Sequence, residues 1–282
     1  MHPWLTHHLP SYGIMILIGF ASGMLVFRWH LKSLRLDVED HTDRVLWIFL
    51  ASFAGARLFH VLFGPVSYQH QPWRLLAVWD GGLSFQGGFF TGALATWFMR
   101  RKVRLRPFLD AAALGLILGH FWGRLGCILA GCCWGKSVAG WPLGFSFPAE
   151  SVPALHYHAA GQWPSGTPLP SLIPVQAYEA IVLLALFLGL LFLRRKPAGT
   201  IFTSYLILYG IARFWLEMLR GDPGRGHLFS FSPKALIAAR ELPTQTQILF
   251  SVPQFVSLMM IVLGVWLHRR WKSVPGAGGT GV

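Results

Sequence analysis

The sequence predicts an all-α polytopic membrane protein of about seven transmembrane helices, with the N-terminus outside and the C-terminus cytoplasmic. Three observations carry this. Of the 282 residues, 54% are hydrophobic and only 12% charged, and mean hydropathy is +0.49, too oily a balance for a soluble domain. The apolar residues gather into stretches of about 20, the length a helix needs to cross a bilayer. The basic residues gather between alternate stretches, as the positive-inside rule requires. A net charge of +13 would point to nucleic acid in a soluble protein; here it reads as membrane orientation, and no nucleic-acid partner is expected.

Taken in order, the spans are expected at 11–28, 44–64, 81–99, 108–130, 175–193, 199–219 and 250–268. The first has no Lys or Arg before it and no small-residue cleavage site after it, so it reads as a retained span rather than a signal peptide. Between spans one and two lie Arg28, Lys32, Arg35 and Arg44; between three and four, Arg100, Arg101, Lys102, Arg104 and Arg106. Arg194, Arg195 and Lys196 separate five from six, and Arg269, Arg270 and Lys272 follow the last. The alternate loops are poorer in charge, which puts the long loops 131–173 and 221–249 outside. Residues 1–274 read as one integral membrane domain and 275–282 as a Gly-rich disordered tail.

Three arginines, Arg57, Arg124 and Arg213, fall inside or at the edge of these spans. A charge at membrane depth costs roughly 2.5–3.5 kcal/mol on the lenient insertion scale and is normally faced into the protein or a water-filled cavity. Cations held there point to an anion, and the commonest anion of a bilayer is a lipid phosphate. A guanidinium can grip a phosphate with two parallel N–H bonds; snorkelling of Arg124 to the interface is the competing reading. Tyr209, Arg213 and Glu217 are spaced i, i+4, i+8 and share one helix face, so Glu217 is placed to neutralise and orient Arg213, or to form a purely structural pair with it. Glu179 opens the fifth span, next to Tyr178.

Asp80, Gly81, Gly82, Ser84, Gln86, Gly87 and Gly88 form a glycine-rich polar cluster at the start of the third span. Glycines there expose backbone N–H groups and let a ligand come close; tight helix packing is the alternative. Arg57 and His60 lie in span two, where His60 reads as a packed polar residue. Gly126 and Gly135 flank Cys127, Cys132 and Cys133, which are the only cysteines. Their spacing matches no standard zinc or redox motif. Small apolar helix-end residues, a disulfide, a metal site with nearby His120 and a reactive thiol all remain open; four well-placed ligands are not visible, and no metal or cofactor is expected.

With these clusters in order, the chain resembles the prolipoprotein diacylglyceryl transferase family. The resemblance runs through Tyr12-Gly13, GARLFHVLF at 55–63, WDGGLSFQGG at 79–88, GRLG at 123–126, Trp134-Gly135, PVQAYEA at 174–180 and LYGIARFWLEMLRGD at 208–222. It implies transfer of the diacylglyceryl group of phosphatidylglycerol to the lipobox cysteine thiol of a prolipoprotein, with release of glycerol phosphate, at the bacterial cytoplasmic (inner) membrane. It implies that Arg124 and Arg213 hold the lipid phosphate and that Tyr209 and Glu217 support Arg213. Arg57, Asp80, Gly81, Gly82, Ser84, Gly87, Gly88, Gly126, Gly135, Tyr178 and Glu179 become substrate-binding candidates, and Gln86 a catalytic one.

The chain also departs from the family pattern. Gln86 stands where the family usually has a His, Cys127 replaces an Asn, Cys132 a Glu, and Ile173 the His before Pro174. Gln cannot act as a base near neutral pH, which leaves Tyr209, Asp80, Glu179 or a water held by Gln86 for that role. The GCC-containing motif resembles a divergent branch of the family. A transfer to another acceptor, through the chain's own thiols, and a non-catalytic phospholipid-binding protein are the two alternatives.

Overall fold

The computed structural model describes residues 4–6, 9–63, 82, 84–101, 103–137, 144–149, 151–164, 166–167, 169, 171–222, 227–231 and 248–273. The Gly-rich tail 275–282 lies outside them. The described chain is helical, with two short antiparallel ribbons. β1 (Trp4–Thr6) pairs β2 (Leu9–Pro10), and β3 (His227–Phe231) pairs β4 (Ile248–Ser251). The helices are α1 (Ser11–Ser33), α2 (Val38–Phe63), α3 (Phe85–Met99), α4 (Leu105–Ala130), α5 (Val152–Ala159), α6 (Val175–Leu191), α7 (Thr200–Leu219) and α8 (Val252–Ser273). A 3-10 turn, Phe192–Arg195, extends α6.

Five described helices, α1, α2, α4, α6 and α8, are long and apolar enough to cross a membrane. The count differs from seven for physical reasons. α3 has 15 residues, short of a full crossing: Gly82 sits at φ +77° and Ser84 is extended, so the helix begins at Phe85 rather than 81. α7 carries the Arg213–Glu217 pair within its length. Large apolar side chains such as Leu17, Trp47, Phe98 and Trp266 remain exposed, as lipid-facing residues are.

The chain forms two compact units, Met1–Val26 with Ala113–Val282, and Phe27–Ala112. In the smaller unit α1 runs past the expected end at 28 and turns at Arg35 (φ 54°). Leu36 N–H bonds Leu31 O at 3.2 Å and Arg35 N–H bonds Lys32 O at 3.1 Å, the paired bonds of a Schellman cap. Arg28 then reaches Glu39 at 2.6 Å. α2 and α3 meet through small residues: a Cβ at Gly87 would run into Gly55 O and Phe59, and one at Gly88 would lie 3.2 Å from Ser52 O. Such contacts let helices approach closely where lipid supplies no hydrophobic drive.

In the larger unit α4, α6 and α7 share a core of Leu114, Ile117, Leu183, Leu190, Ile201, Tyr205, Leu206 and Tyr209. α1 lies against α4, where a Cβ at Gly23 would stand 2.7 Å from Gly115 O. α8 lies against α7, where Cβ atoms at Gly210 and Gly264 would each meet an Ile side chain at 2.8 Å. α5, capped by the Ser151 hydroxyl on Ala154 N–H at 3.4 Å, packs with Trp134, Phe147, Leu169 and Leu172 into a second small core.

Candidate active site

Glu179, 1% exposed, is the hub of the larger unit. Its Oε1 accepts the Tyr209 hydroxyl at 3.1 Å, lies 3.1 Å from Arg124 Nη2 and 3.5 Å from His120 Nε2. Three helices make this meeting. His120 and Arg124 are one turn apart on α4, Glu179 sits in the second turn of α6, and Tyr209 is mid-α7. The Tyr209 ring is fixed by stacking on Tyr205 (5.6 Å, 6°) and by the edge of His120 (5.3 Å, 73°).

Arg213, one turn beyond Tyr209, forms an ion pair with Glu217 at 2.8 Å, and both are nearly buried. The i, i+8 face therefore holds, but its parts divide: Glu217 pairs with Arg213, while the Tyr209 hydroxyl is turned to Glu179. His120 is within electrostatic reach of Arg124, Glu179 and Arg213, so the two arginines bear on one place. Arg124 Nε and Arg213 Nη1 are buried with no hydrogen-bond partner among the described residues. Buried donors are nearly always satisfied, so each of these guanidinium N–H groups has room for one further acceptor. His120 is the residue sequence reasoning undervalued; its i, i+4 spacing to Arg124 was the available signal.

Beyond α4 the chain is tied down by backbone. Trp134–Lys136 lies between 172–173 and 219–221: Gly135 N–H bonds Ile173 O at 2.9 Å, Lys136 N–H bonds Leu219 O at 2.9 Å and Gly221 N–H bonds Trp134 O at 3.1 Å. A Cβ at Gly135 would be 2.5 Å from Ile173 O, so only glycine fits there. A Cβ at Gly126 would be 2.9 Å from Tyr12 Cδ2, which puts the Tyr12 ring against α4. Tyr178 packs on the Ile173, Val175 and Leu216 cluster.

The three cysteines converge at the end of α4. Gly131 (φ 70°) ends the helix; Cys132 N–H bonds Cys127 O at 3.1 Å and Gly131 N–H bonds Ile128 O at 3.3 Å. This is again a Schellman cap, whose side-chain contact falls between these two positions, and it explains the five-residue spacing of Cys127 and Cys132. Cys133 then adopts φ 61°, a left-handed conformation that costs a residue with a side chain roughly 1–2 kcal/mol. All three are free thiols, and their Sγ atoms lie within 4.8 Å of one another. The Cys133 thiol is held well below the ordinary thiol range by hydrogen bonds with Cys127 and Cys132 and by the charges of Arg220 and Arg124. The Cys132 thiol is pushed up by the same pairing. Arg220 is itself gripped by Asp222 at 2.8 and 2.5 Å.

In the smaller unit Arg57, 8% exposed, donates to Gly82 O at 3.0 Å, and Ser84 N–H bonds Ala56 O at 2.9 Å. A Cβ at Gly82 would be 2.5 Å from His60 Nε2, so His60 lines the turn that Arg57 holds. Gly87 and Gly88 serve the α2–α3 contact. Asp80, Gly81 and the Gln86 side chain lie outside the described residues.

The sequence model of the prolipoprotein diacylglyceryl transferase family matches residues 4–270. The chain is 33% identical to the phosphatidylglycerol–prolipoprotein diacylglyceryl transferase of Burkholderia mallei, covering 92% of this chain and 90% of that one. It is 30% identical to the protein of that name from Idiomarina loihiensis (96% and 91%) and 29% to that from Thermus thermophilus (92% and 93%). This chain belongs to the prolipoprotein diacylglyceryl transferase family.

Proposed function

We propose that this chain transfers the diacylglyceryl group of phosphatidylglycerol to the lipobox cysteine of a prolipoprotein, at the outer face of the bacterial inner membrane. The observation that carries this reading is the pair of buried, unfilled guanidinium N–H groups on Arg124 and Arg213. The thiolate sulfur attacks the glyceryl carbon, the C–O bond to phosphate breaks, and the electron pair leaves on glycerol phosphate. Negative charge grows on the leaving phosphate, and preorganised cations in a dry site stabilise such charge. Arg124 and Arg213 hold the phosphate; Glu179 and Glu217 orient them, and Tyr209 braces Glu179. Gly126 lets the Tyr12 ring lie on the helix that carries Arg124, Gly135 lets the chain beyond α4 lie on Ile173, and Tyr178 flanks Glu179. In the smaller unit, taken by itself, Arg57, Gly82 and Ser84, with Asp80, Gly81 and Gln86, are the proposed substrate-contacting residues, and Gly87 and Gly88 keep α3 close to α2. The chain spans the membrane seven times, N-terminus out: α7 joins the five long apolar helices, α3 crosses as a short span that local thinning of the bilayer accommodates, and the basic loops lie inside.

The test is the mass of a synthetic lipobox peptide after incubation with the purified chain in phosphatidylglycerol liposomes. A diacylglyceryl increment on the peptide cysteine is the expected result; its absence with folded, lipid-bound protein would sink the reading. A different acceptor on the same lipid site is the second reading, favoured by Gln86 standing where the family has a His, and an increment on an added thiol other than the peptide would select it.

A further inference from the structure

The transfer needs a thiolate as well as a phosphate holder, and a free thiol of pKa about 8.5 is only about 3% thiolate at pH 7. Gln86 stands where the resemblance leads one to expect a His, and a Gln is no base near neutral pH. The end of α4 offers another way. We propose that Cys127, Cys132 and Cys133 form a three-thiolate site for a thiophilic cation of the Zn2+ class, with its fourth position open to the acceptor thiol.

Three observations support the site. The three Sγ atoms lie within 4.8 Å of one another. A tetrahedral cation with Zn–S bonds of about 2.3 Å sets sulfurs about 3.8 Å apart, so little movement closes the cluster. The backbone is arranged to bring the thiols together: the cap at Gly131 juxtaposes Cys127 and Cys132, and Gln176 Nε2 anchors Cys132 O at 2.6 Å. Cys133 holds a left-handed φ that glycine would adopt without strain; a strained residue retained at a site argues that its side chain is used.

The placement gives the fourth position a purpose. His120, Arg124 and Cys127 follow i, i+4, i+7 on α4, one face of the helix. Cys127 is thus about 4.5 Å of helix rise from Arg124. Cys132 and Cys133 are partly exposed while Cys127 is buried, so an incoming ligand can reach the outer side of the cluster. A catalytic zinc keeps one position for water or substrate, and a coordinating thiol is deprotonated outright. Loading the cation releases the three cysteine protons to solvent. The acceptor thiol then displaces the bound water, and its proton leaves with that water. Sulfur–carbon bond formation expels glycerol phosphate with the C–O electron pair, and the neutral thioether gives way to water again.

The cation site stands on its own geometry; its role in transfer rests on the transferase reading above. The test uses the full chain, free of affinity tags, in detergent. Chelator-treated protein is titrated with Co2+, whose thiolate complexes show charge-transfer absorption in the near ultraviolet. One equivalent bound with that band, and its loss in Cys132→Ser and Cys133→Gly, is the expected result. Cys133→Gly relieves the backbone, so misfolding cannot explain its loss. No thiolate band from folded wild-type protein overturns the site. A lipobox peptide, but not its Cys→Ser version, should shift the cobalt visible bands; no shift overturns the open fourth position. Chelation should lower peptide transfer about 30-fold, the thiolate fraction given above, with recovery on Zn2+. Full transfer by chelated protein overturns the cation's role and leaves the transferase standing. A cobalt-loaded chain that transfers nothing overturns the transferase reading and leaves the site.

Discussion

Arg124 and Glu179, from α4 and α6, form a buried ion pair at 3.1 Å, and the pair is incomplete by design of its geometry: one arm of the guanidinium is fixed by protein while Nε has no partner among the described residues. A carboxylate that also accepts Tyr209 and faces His120 ties α4, α6 and α7 at one point. Charge and fold are coupled there, because the side chains that bear the charge are the same ones that cross the helix interfaces.

Glu179→Gln keeps the size of the hub and its hydrogen bond from Tyr209 but leaves Arg124 without its counter-charge. Transfer should fall by about 10²-fold, the scale for one lost electrostatic contact in a dry site, with membrane insertion intact. Glu179→Ala strands a buried cation and should cost about 3–5 kcal/mol of stability besides. Mass spectrometry of the lipobox peptide and thermal unfolding in detergent separate the two effects; wild-type transfer by Glu179→Gln would remove the hub from the mechanism.

Arg213→Lys tests the fork rather than the charge. Lysine can still meet Glu217 across one turn, so the fold should hold, but it offers no second planar N–H in place of the orphan Nη1. Transfer should drop about 10²–10³-fold. Arg44→Lys, which alters the more exposed i, i+4 pair with Asp40, should leave both stability and transfer within measurement error, since such pairs contribute about 0–1 kcal/mol. Equal behaviour of the two variants would mean that Arg213 is only structural.

Sequence reasoning reached the helices because apolar length and loop charge are local signals. It placed α4 to within three residues at its start and none at its end, since Gly131 is a readable stop. It started the third span early, because nothing local says that Gly82 takes a positive φ and Ser84 an extended one. The Arg213–Glu217 pair was legible from i, i+4 spacing; the Arg124–Glu179 pair was not, being 55 residues apart and made by tertiary packing. The hydrogen bond of the Tyr209 hydroxyl to Glu179 was not legible either, since the two residues lie on different helices. Helix-end residues are among the readings the cysteine spacing allows, and the cap at Gly131 shows why the spacing is five: it sets Cys127 against Cys132.

Gly82→Ala addresses the smaller unit by itself. The new methyl would lie 2.5 Å from His60 Nε2 and 2.9 Å from Arg57 Nη1, on a backbone held at φ +77°. The left-handed strain alone is about 1–2 kcal/mol, and the clash loosens the Arg57 bond to Gly82 O. The unfolding temperature should fall, and Gly82→Ala with His60→Ala should recover only the part due to the clash. Full recovery in the double variant would show that the positive φ carries no strain.

Gln86→His restores the residue the family pattern usually has at that position. An imidazole of pKa about 6.5 is a base at neutral pH, and a positioned general base contributes about 10²–10⁴-fold where proton removal limits the rate. Whether it limits here depends on how the thiolate is made. If a cation already deprotonates the acceptor thiol, the histidine has little left to do, and the Zn2+-loaded variant should turn over within about twofold of wild type. Stripped of the cation, both chains must take the proton from a thiol of ordinary pKa, and the variant should then exceed wild type by about tenfold or more. Its rate should rise through about pH 6.5 as the imidazole loses its proton and level off above, a step the wild type lacks. The measurement is a pH–rate profile of peptide transfer for both chains, loaded and chelated. A large gain in the loaded variant would place the rate-limiting proton on the histidine route and leave the thiol cluster with no part in making the nucleophile.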